Sequence, residues 1–439
     1  WEVRLQRKAG QFSRAALRAS RCGSWEMRVI AGPVRTFRDP VHGDIQMPQG
    51  LLCELIDHPD FQRLRRIRQL GCCYSTFHGA AHSRFQHTLG VGWLALQVLQ
   101  RWEVDPEEAS ATLAACLLHD VGHGPFSHAL EHVFTAVDHE AIGHELIRTR
   151  FRLTLERHGI DPETVVGILR GTHPRRLLHE LISGQLDVDR MDYLQRDSLY
   201  TGTRYGLFDG QRILGSLTPI YDLELGCEVL ALDSGAVEAV EAFFFSRYFM
   251  HWQVYFHRTV RATEFFLRAV LQRARQLGQE SSRELRFPAE LSFLFRDEGI
   301  TPGFLQAFVS SDDADVLQAI KRWQSSPDPV LSDLSQRFLG RRLPKVLVIS
   351  EPEQAEAAVD LVKKRFPEVQ YYVGVDRPSD LALQDHKAPV RVLTGRGRQW
   401  CHLAEVTRTG ALQALSQRVS ENFLMVPPEC RDEVEKLLQ

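Results

Sequence analysis

His119-Asp120-Val121-Gly122-His123-Gly124-Pro125-Phe126-Ser127-His128 is the stretch that decides the fold reading. It follows a segment whose start is written in local chemistry. Asp105 can cap a helix, Pro106 suits its first position, and Glu107 and Glu108 suit the positive end of the macrodipole. That helix is expected to run through Thr112, Leu113, Ala114, Cys116 and Leu117 and to stop near Gly122. A His-Asp pair alone carries little. With 18 His in the chain, roughly one such pair arises by chance. The context carries more, because four ligating side chains crowd one helix terminus, where the partial negative charge favours a cation.

Two other segments can complete a site. Ser83 to Val91 opens an apolar helix with His87 among Phe85, Leu89 and Trp93. Leu186 to Tyr193 sets Asp187, Asp189 and Asp192 beside Arg190 and Tyr193. Read alone, that acidic cluster is a solvated helix face. Read with the histidines, nitrogen plus carboxylate ligands suit one divalent metal per site: Mn, Fe, Zn, Co or Ni, and less often Mg. A further stripe, Arg247, His251, Tyr255 and Arg258, falls within roughly 80° on a helix of about 100° per residue. Its flanks are apolar, so a buried helix looking into a polar cleft is expected, with guanidinium groups suited to phosphate.

Outward from these segments the chain reads as mainly α. Val29 to Phe37 is β-prone, Gly43–Asp44 marks a turn before Ile45, and from Leu51 the pattern is helical for more than 200 residues. The last hundred residues form a small C-terminal α/β lobe beyond a boundary near Gly340. There Lys345–Ser350, Val369–Val375, Val390–Thr394 and Phe423–Val426 read as strands, and Glu353–Phe366, Ala411–Arg418 and Glu433–Leu438 as helices. The expected divisions are a core over 27–275, a helical connection over 276–340 and the lobe over 341–439. Residues 1–26 are Arg-rich and acid-poor, like an organellar transit peptide. A translated upstream extension is the preferred reading, because Met27 begins a segment that looks like a natural start.

Composition bounds the function. The 439 residues carry a net charge of −3, with 44% hydrophobic and 25% charged side chains, ordinary values for a globular chain. A dedicated polyanion coat would show a basic excess, so nucleic acid is an unexpected partner. Eight Cys without a CxxC pair suit a reduced, cytoplasmic setting, and no apolar run is long enough to indicate a membrane span.

Together the segments resemble the HD-domain deoxynucleoside triphosphate triphosphohydrolases, bacterial and vertebrate, over roughly Arg35 to Arg261. The motifs that carry the likeness are Arg38-Asp39-Pro40-Val41-His42-Gly43, Phe61-Gln62-Arg63-Leu64-Arg65, Gln69-Leu70-Gly71, Arg84 to His87, His119 to His128, Asp138-His139-Glu140 and Asp187-Val188-Asp189-Arg190. The SAM domain of the vertebrate members has no counterpart here. The resemblance implies an HD-domain helical core in which His87, His119, Asp120 and Asp189 bind the metal. It places His123 and His139 against the α-phosphate and makes His128 the general acid, oriented by Glu131 where the family usually has Asp. It has Arg84, Arg190, Tyr193, Arg247 and Arg258 hold the triphosphate beside His251, with Arg190 and Arg258 standing where the vertebrate enzyme has Lys. Gln69 and Asp197 would hold the sugar 3′-hydroxyl, and Leu70 and Tyr255 would close off the 2′ carbon. The implied reaction yields deoxynucleoside and triphosphate by attack of water on the α-phosphorus.

The same resemblance places an activating GTP or dNTP between subunits at Arg35, Asp57, Gln62 and Arg65, which implies a homo-oligomer, preferably a tetramer. Read from residues alone, Phe61, Leu64, Ile67 and Leu70 make the apolar face of a helix, and Arg63, Arg65, Arg66 and Arg68 its solvated face. Rival readings are another HD phosphohydrolase (a nucleotidase, a guanosine-tetraphosphate or cyclic-dinucleotide hydrolase) and a nucleotide-sensing regulatory protein with weak catalysis.

Overall fold

A computed structural model describes residues 33–129, 137–280, 291, 299–351, 353–380, 389–394, 399–407, 412, 415 and 419–438. The fold is mainly α, a helical core with a small C-terminal α/β lobe. The β-prone start becomes a hairpin, Val34–Asp39 against Gly43–Pro48. Helix Pro106–Leu118 begins where its signals place it, with Asp105 accepting from the Glu107 N–H. It ends at Leu118 rather than near Gly122. The chain then turns from His119 to His123, and Gly122 presses so close to helix His139–Thr149 that a Cβ there would lie 2.0 Å from the His139 carbonyl oxygen.

Helix Arg84–Leu99 packs against both Pro106–Leu118 and Val188–Thr201. Most of their buried residues are apolar or small, as in Val91, Ala95, Ala111, Ala115 and Leu194. Gly90 has a particular duty: a Cβ on it would lie 1.8 Å from Asp192 Oδ1. Its bare backbone admits a buried carboxylate between two helices.

The structure departs from the sequence reading in five further places. The helical run from Leu51 is interrupted by the antiparallel hairpin Leu217–Asp222 and Cys227–Asp233. Strand Arg391–Thr394, expected inside the lobe, runs parallel to Cys227–Asp233 and pairs with Gln399–His402. The lobe sheet itself is Lys345–Ile349, Asn422–Val426 and Gly374–Asp376, all antiparallel, over a core of Ala358, Val362, Leu424 and Val434. Of the expected strand Val369–Val375, Val369–Tyr371 is a single 3-10 turn. The segment from Phe61 is not one helix but Pro59–Gln62 followed by a 3-10 turn Arg63–Arg66, and Arg63 is only 1% exposed instead of solvated. Finally, the stripe from Arg247 to Arg258 does not lie on one regular helix: Val237–Met250 passes into a π-turn at His251–Tyr255, and a new helix starts at Arg258. Most of the helix expected over Ala411–Arg418 lies outside the described residues. No helix among them is long and apolar enough to cross a membrane, and their seven cysteines are free.

Candidate active site

The site is built where three helix ends meet. His87 lies one turn into helix Arg84–Leu99, His119 caps the end of Pro106–Leu118, and Asp189 is the second residue of Val188–Thr201. One ligand atom from each lies within 4.8 Å of the others. His87 Nε2 is 3.0 Å from Asp189 Oδ1 and 3.3 Å from His119 Nε2.

The other ring nitrogens decide whether this set fits a metal. His87 Nδ1 donates to Asp192 Oδ2 at 2.8 Å. His119 Nδ1 donates to the Cys116 carbonyl at 2.8 Å. Each bond fixes the tautomer and leaves the Nε2 lone pair facing inward. Two facing lone pairs and a carboxylate repel one another unless a cation or proton lies between them. The donor set fits a divalent ion held by His87, His119 and Asp189. Asp120 stands beside it, with Oδ1 3.4 Å from His119 Nε2 and Oδ2 3.7 Å from His87 Nε2. Arg84 Nη1 donates to that Oδ2 at 2.5 Å.

Charges follow from this crowding. Burial disfavours a charged His87, yet hydrogen bonds to Asp189 and Asp192 push it up to about 10. Burial also opposes ionisation of Asp120, but the Arg84 guanidinium holds it well below the usual carboxylate range. Asp189 is lowered too: its burial is outweighed by the bonds from His119 and His87.

Behind His87 runs a support that the sequence reading missed. Asp192 is fully buried, not part of a solvated face. Besides His87 it accepts from His42 Nε2 at 2.6 Å, and from Arg196 Nε and Nη2 at 2.8 and 2.9 Å. Arg196, itself 0% exposed, continues to Asp39 at 2.7 Å. Asp39 in turn takes the backbone N–H groups of Val41 and His42. Asp39 and His42 stand in the motif Arg38 to Gly43, but nothing local says that they support His87. Asp187, also 0% exposed, caps its helix and holds the Arg190 side chain.

The ligand set opens on a cavity of about 570 Å³, within the range of small-ligand sites. Gln69, Leu70, Arg84, His123, His139, Tyr193, Asp197, His251 and Tyr255 all line it, with Asp120 and the three metal-ready residues. His123 stacks on His139 at 3.9 Å between ring centroids, and its Nε2 lies 3.3 Å from Asp120 Oδ1. The Tyr255 hydroxyl donates to Asp197 Oδ2 at 2.7 Å, and His82 Nε2 to Oδ1 at 2.8 Å. Gln69 Oε1 is buried with no hydrogen-bond partner among the described residues. Arg261, Glu264 and Ser379 line the cavity as well and had no signal in the sequence.

Among the described residues, three of the expected phosphate holders do not line it. Arg190 is turned back onto Asp187 and the Gly184 carbonyl. Arg247 is buried, and its charge acts on Tyr193 and Asp187. Arg258 is exposed, 5.9 Å over the Phe423 ring. The His128 side chain and Glu131 lie outside what is described. On the surface, Arg35 grips Asp57 through two 2.7 Å contacts, Arg65 donates to Gln62 at 2.8 Å, and both Arg35 and Asp57 act on the Arg65 charge. These four residues therefore form one cluster.

A histidine and carboxylate metal set at helix ends, opening on a cavity of nucleotide size, defines the class: a metal-dependent phosphohydrolase of the HD type. The comparisons agree. Residues 84–197 match the HD domain and residues 209–296 the HD associated region. The chain is 37% identical to the Bacillus subtilis protein YwfO over 86% of its own length and 88% of that protein. It is 30% identical to the human deoxynucleoside triphosphate triphosphohydrolase SAMHD1, over 55% of this chain and 46% of that one. The fold is shared with a Bacteroides thetaiotaomicron phosphohydrolase, at 33% identity and a TM-score of 0.81, covering 90% of this chain and 99% of the other. The chain belongs to the HD-domain phosphohydrolase family.

Proposed function

We propose that the protein hydrolyses deoxynucleoside triphosphates to deoxynucleoside and triphosphate. The observation that carries this reading is the shared cavity: the set His87, His119 and Asp189 opens on the same space as Gln69, Leu70, Asp197 and Tyr255. A divalent ion at that set would neutralise phosphate charge and activate water. The stacked pair His123 and His139 offers ring N–H donors to phosphate oxygens, and Arg84 adds a guanidinium. Water attacks the α-phosphorus, the bond to the 5′-oxygen breaks, and that oxygen takes a proton from His128, supported by Glu131. Gln69 Oε1 and the Asp197 carboxylate are acceptors for a sugar 3′-hydroxyl. Leu70 and Tyr255 crowd the 2′ side.

The surface cluster Arg35, Asp57, Gln62 and Arg65 is proposed to take an activating GTP or dNTP between subunits of a homo-oligomer, preferably a tetramer. A ligand bridging subunits would tie the rate to assembly by mass action. Cytoplasmic residence belongs to the same reading.

A second reading has one observation in its favour. Arg190, Arg247 and Arg258 do not line the cavity, which leaves a triphosphate with fewer cations and suits a nucleotidase or another HD phosphohydrolase. The test is incubation of each dNTP and of ATP with the protein and Mn or Mg, with products separated by chromatography. Deoxynucleoside plus intact triphosphate is expected, with ATP much slower than dATP. Monophosphate plus pyrophosphate would overturn the reading.

A further inference from the structure

The backbone between His123 and His128 takes a shape that its residues resist. Phe126 and Ser127 have φ of 56° and 51°, the left-handed region that side chains avoid because Cβ crowds the carbonyl oxygen. Neither is glycine, so something outside the segment must hold it.

Asp313, 187 residues downstream of Phe126, meets that need. It is 4% exposed and begins helix Asp313–Trp323. Its Oδ1 accepts the Phe126 N–H at 2.7 Å, and its Oδ2 accepts the Arg68 N–H at 3.1 Å. The held segments then grip each other: Ser127 Oγ donates to the Arg68 carbonyl at 2.9 Å and accepts from Arg84 Nε at 2.7 Å. The next bond from Arg84 goes to Asp120 at 2.5 Å. Arg63 braces the other side, donating from Nη2 to the Val121 and His123 carbonyls at 3.0 and 2.8 Å.

We propose that Asp313 is a positioning residue for the catalytic turn, setting Ser127 and thereby the orientation of Arg84 and Asp120 at the metal-ready site. The inference is independent of which phosphate ester is the substrate. It explains why an acid stands at a buried position where a neutral amide would be easier to bury. Both oxygens are used by N–H donors. An Asn offers one acceptor and turns an NH₂ against the other N–H.

The test uses D313N and S127A in the full chain. Amide exchange of the metal-free protein, read by mass spectrometry, should rise at least roughly tenfold in peptides covering 121–129 and 66–70 of D313N, with peptides of helix Pro106–Leu118 unchanged. With Mn and dATP, or bis(p-nitrophenyl) phosphate if no dNTP is turned over, kcat should fall about 10–100-fold while KM and Mn content hold, as a slightly misplaced group predicts. S127A should lower kcat too. The double variant should lose less than the product of the two losses, because both act through Arg84. If D313N does not fold, S127A carries the test through its own kcat loss at unchanged Mn content. Wild-type exchange in the turn peptides overturns the proposal. So does a lowered thermal midpoint with unchanged kcat per folded molecule, or an S127A kcat equal to wild type.

Discussion

Asp192→Asn isolates the buried support behind the metal-ready set. The change is nearly isosteric, so Gly90 still admits the side chain, but it removes a charge bonded at 2.8 Å to His87 and at 2.8 and 2.9 Å to Arg196. Loss of such a partner typically costs about 10–100-fold in metal affinity, or about 1.4–2.7 kcal/mol. Folding stability should fall as well. Breaking a buried ion pair costs about 3–5 kcal/mol. Arg196 keeps Asp39 at 2.7 Å, so the lower end of that range, about 3 kcal/mol, is expected. The assay is Mn titration by electron paramagnetic resonance on protein shown to be folded by circular dichroism, with Asp189→Ala marking complete loss. Mn affinity within threefold of wild type in folded Asp192→Asn would refute the argument that this carboxylate orients the ligand.

Three further outcomes are expected. Asp189→Ala should lose metal and activity together, whereas His128→Ala should keep Mn and nucleotide binding while kcat drops about 10²–10⁴-fold; a rate near wild type would move the general acid elsewhere. Arg65→Ala and Asp57→Ala should weaken both nucleotide activation and assembly, measured by a mixed-nucleotide assay with light scattering; no change in either would leave the cluster a solvated face. Burial raises Asp313 to about 6, above its value of about 3.9 in the unfolded chain. The folded state therefore holds this proton longer, and stability from this group is lost as pH rises from about 4 through 6. Asn has no such loss, so between pH 5 and 7.5 the stability of Asp313→Asn relative to wild type should improve by about 1 kcal/mol. A flat difference in urea midpoints across that range would refute the raised value.

Local chemistry was legible and tertiary partnership was not. The helix start at Pro106 depends on Asp105 and its next two residues, all adjacent in sequence. Its end at Leu118 depends on helix His139–Thr149 lying against Gly122, which no local signal states. Strand Arg391–Thr394 was legible as a strand because its residues are β-prone, but its pairing with Cys227–Asp233 is decided across the fold. The stripe from Arg247 failed at both ends: His251 and Tyr255 line the cavity and Arg247 and Arg258 do not, Arg258 because a π-turn at His251–Tyr255 breaks the 100° spacing before it. Asp189 and Asp192 look alike in sequence. Only the neighbouring helix, through His87 and Gly90, sets one in the metal-ready set and the other behind His87 as its support.

The distribution of buried charge points the same way. Asp39, Arg196, Asp192, Asp187 and Arg63 are at most 9% exposed, and groups of that kind seldom improve stability over well-packed apolar residues. Buried charge also occurs away from the site, as in Asp222, Arg391 and Arg337, so burial alone does not mark these groups. Their bonds do: Asp39, Arg196 and Asp192 form a single chain ending on His87, and Arg63 holds the backbone of His123. The apolar interfaces between the helices could slide or rotate a side chain at little cost. Directional bonds to charged groups cannot, and orientation within a fraction of an ångström is what a metal set and a phosphate site require. Orientation of the site therefore accounts for these groups better than stability does.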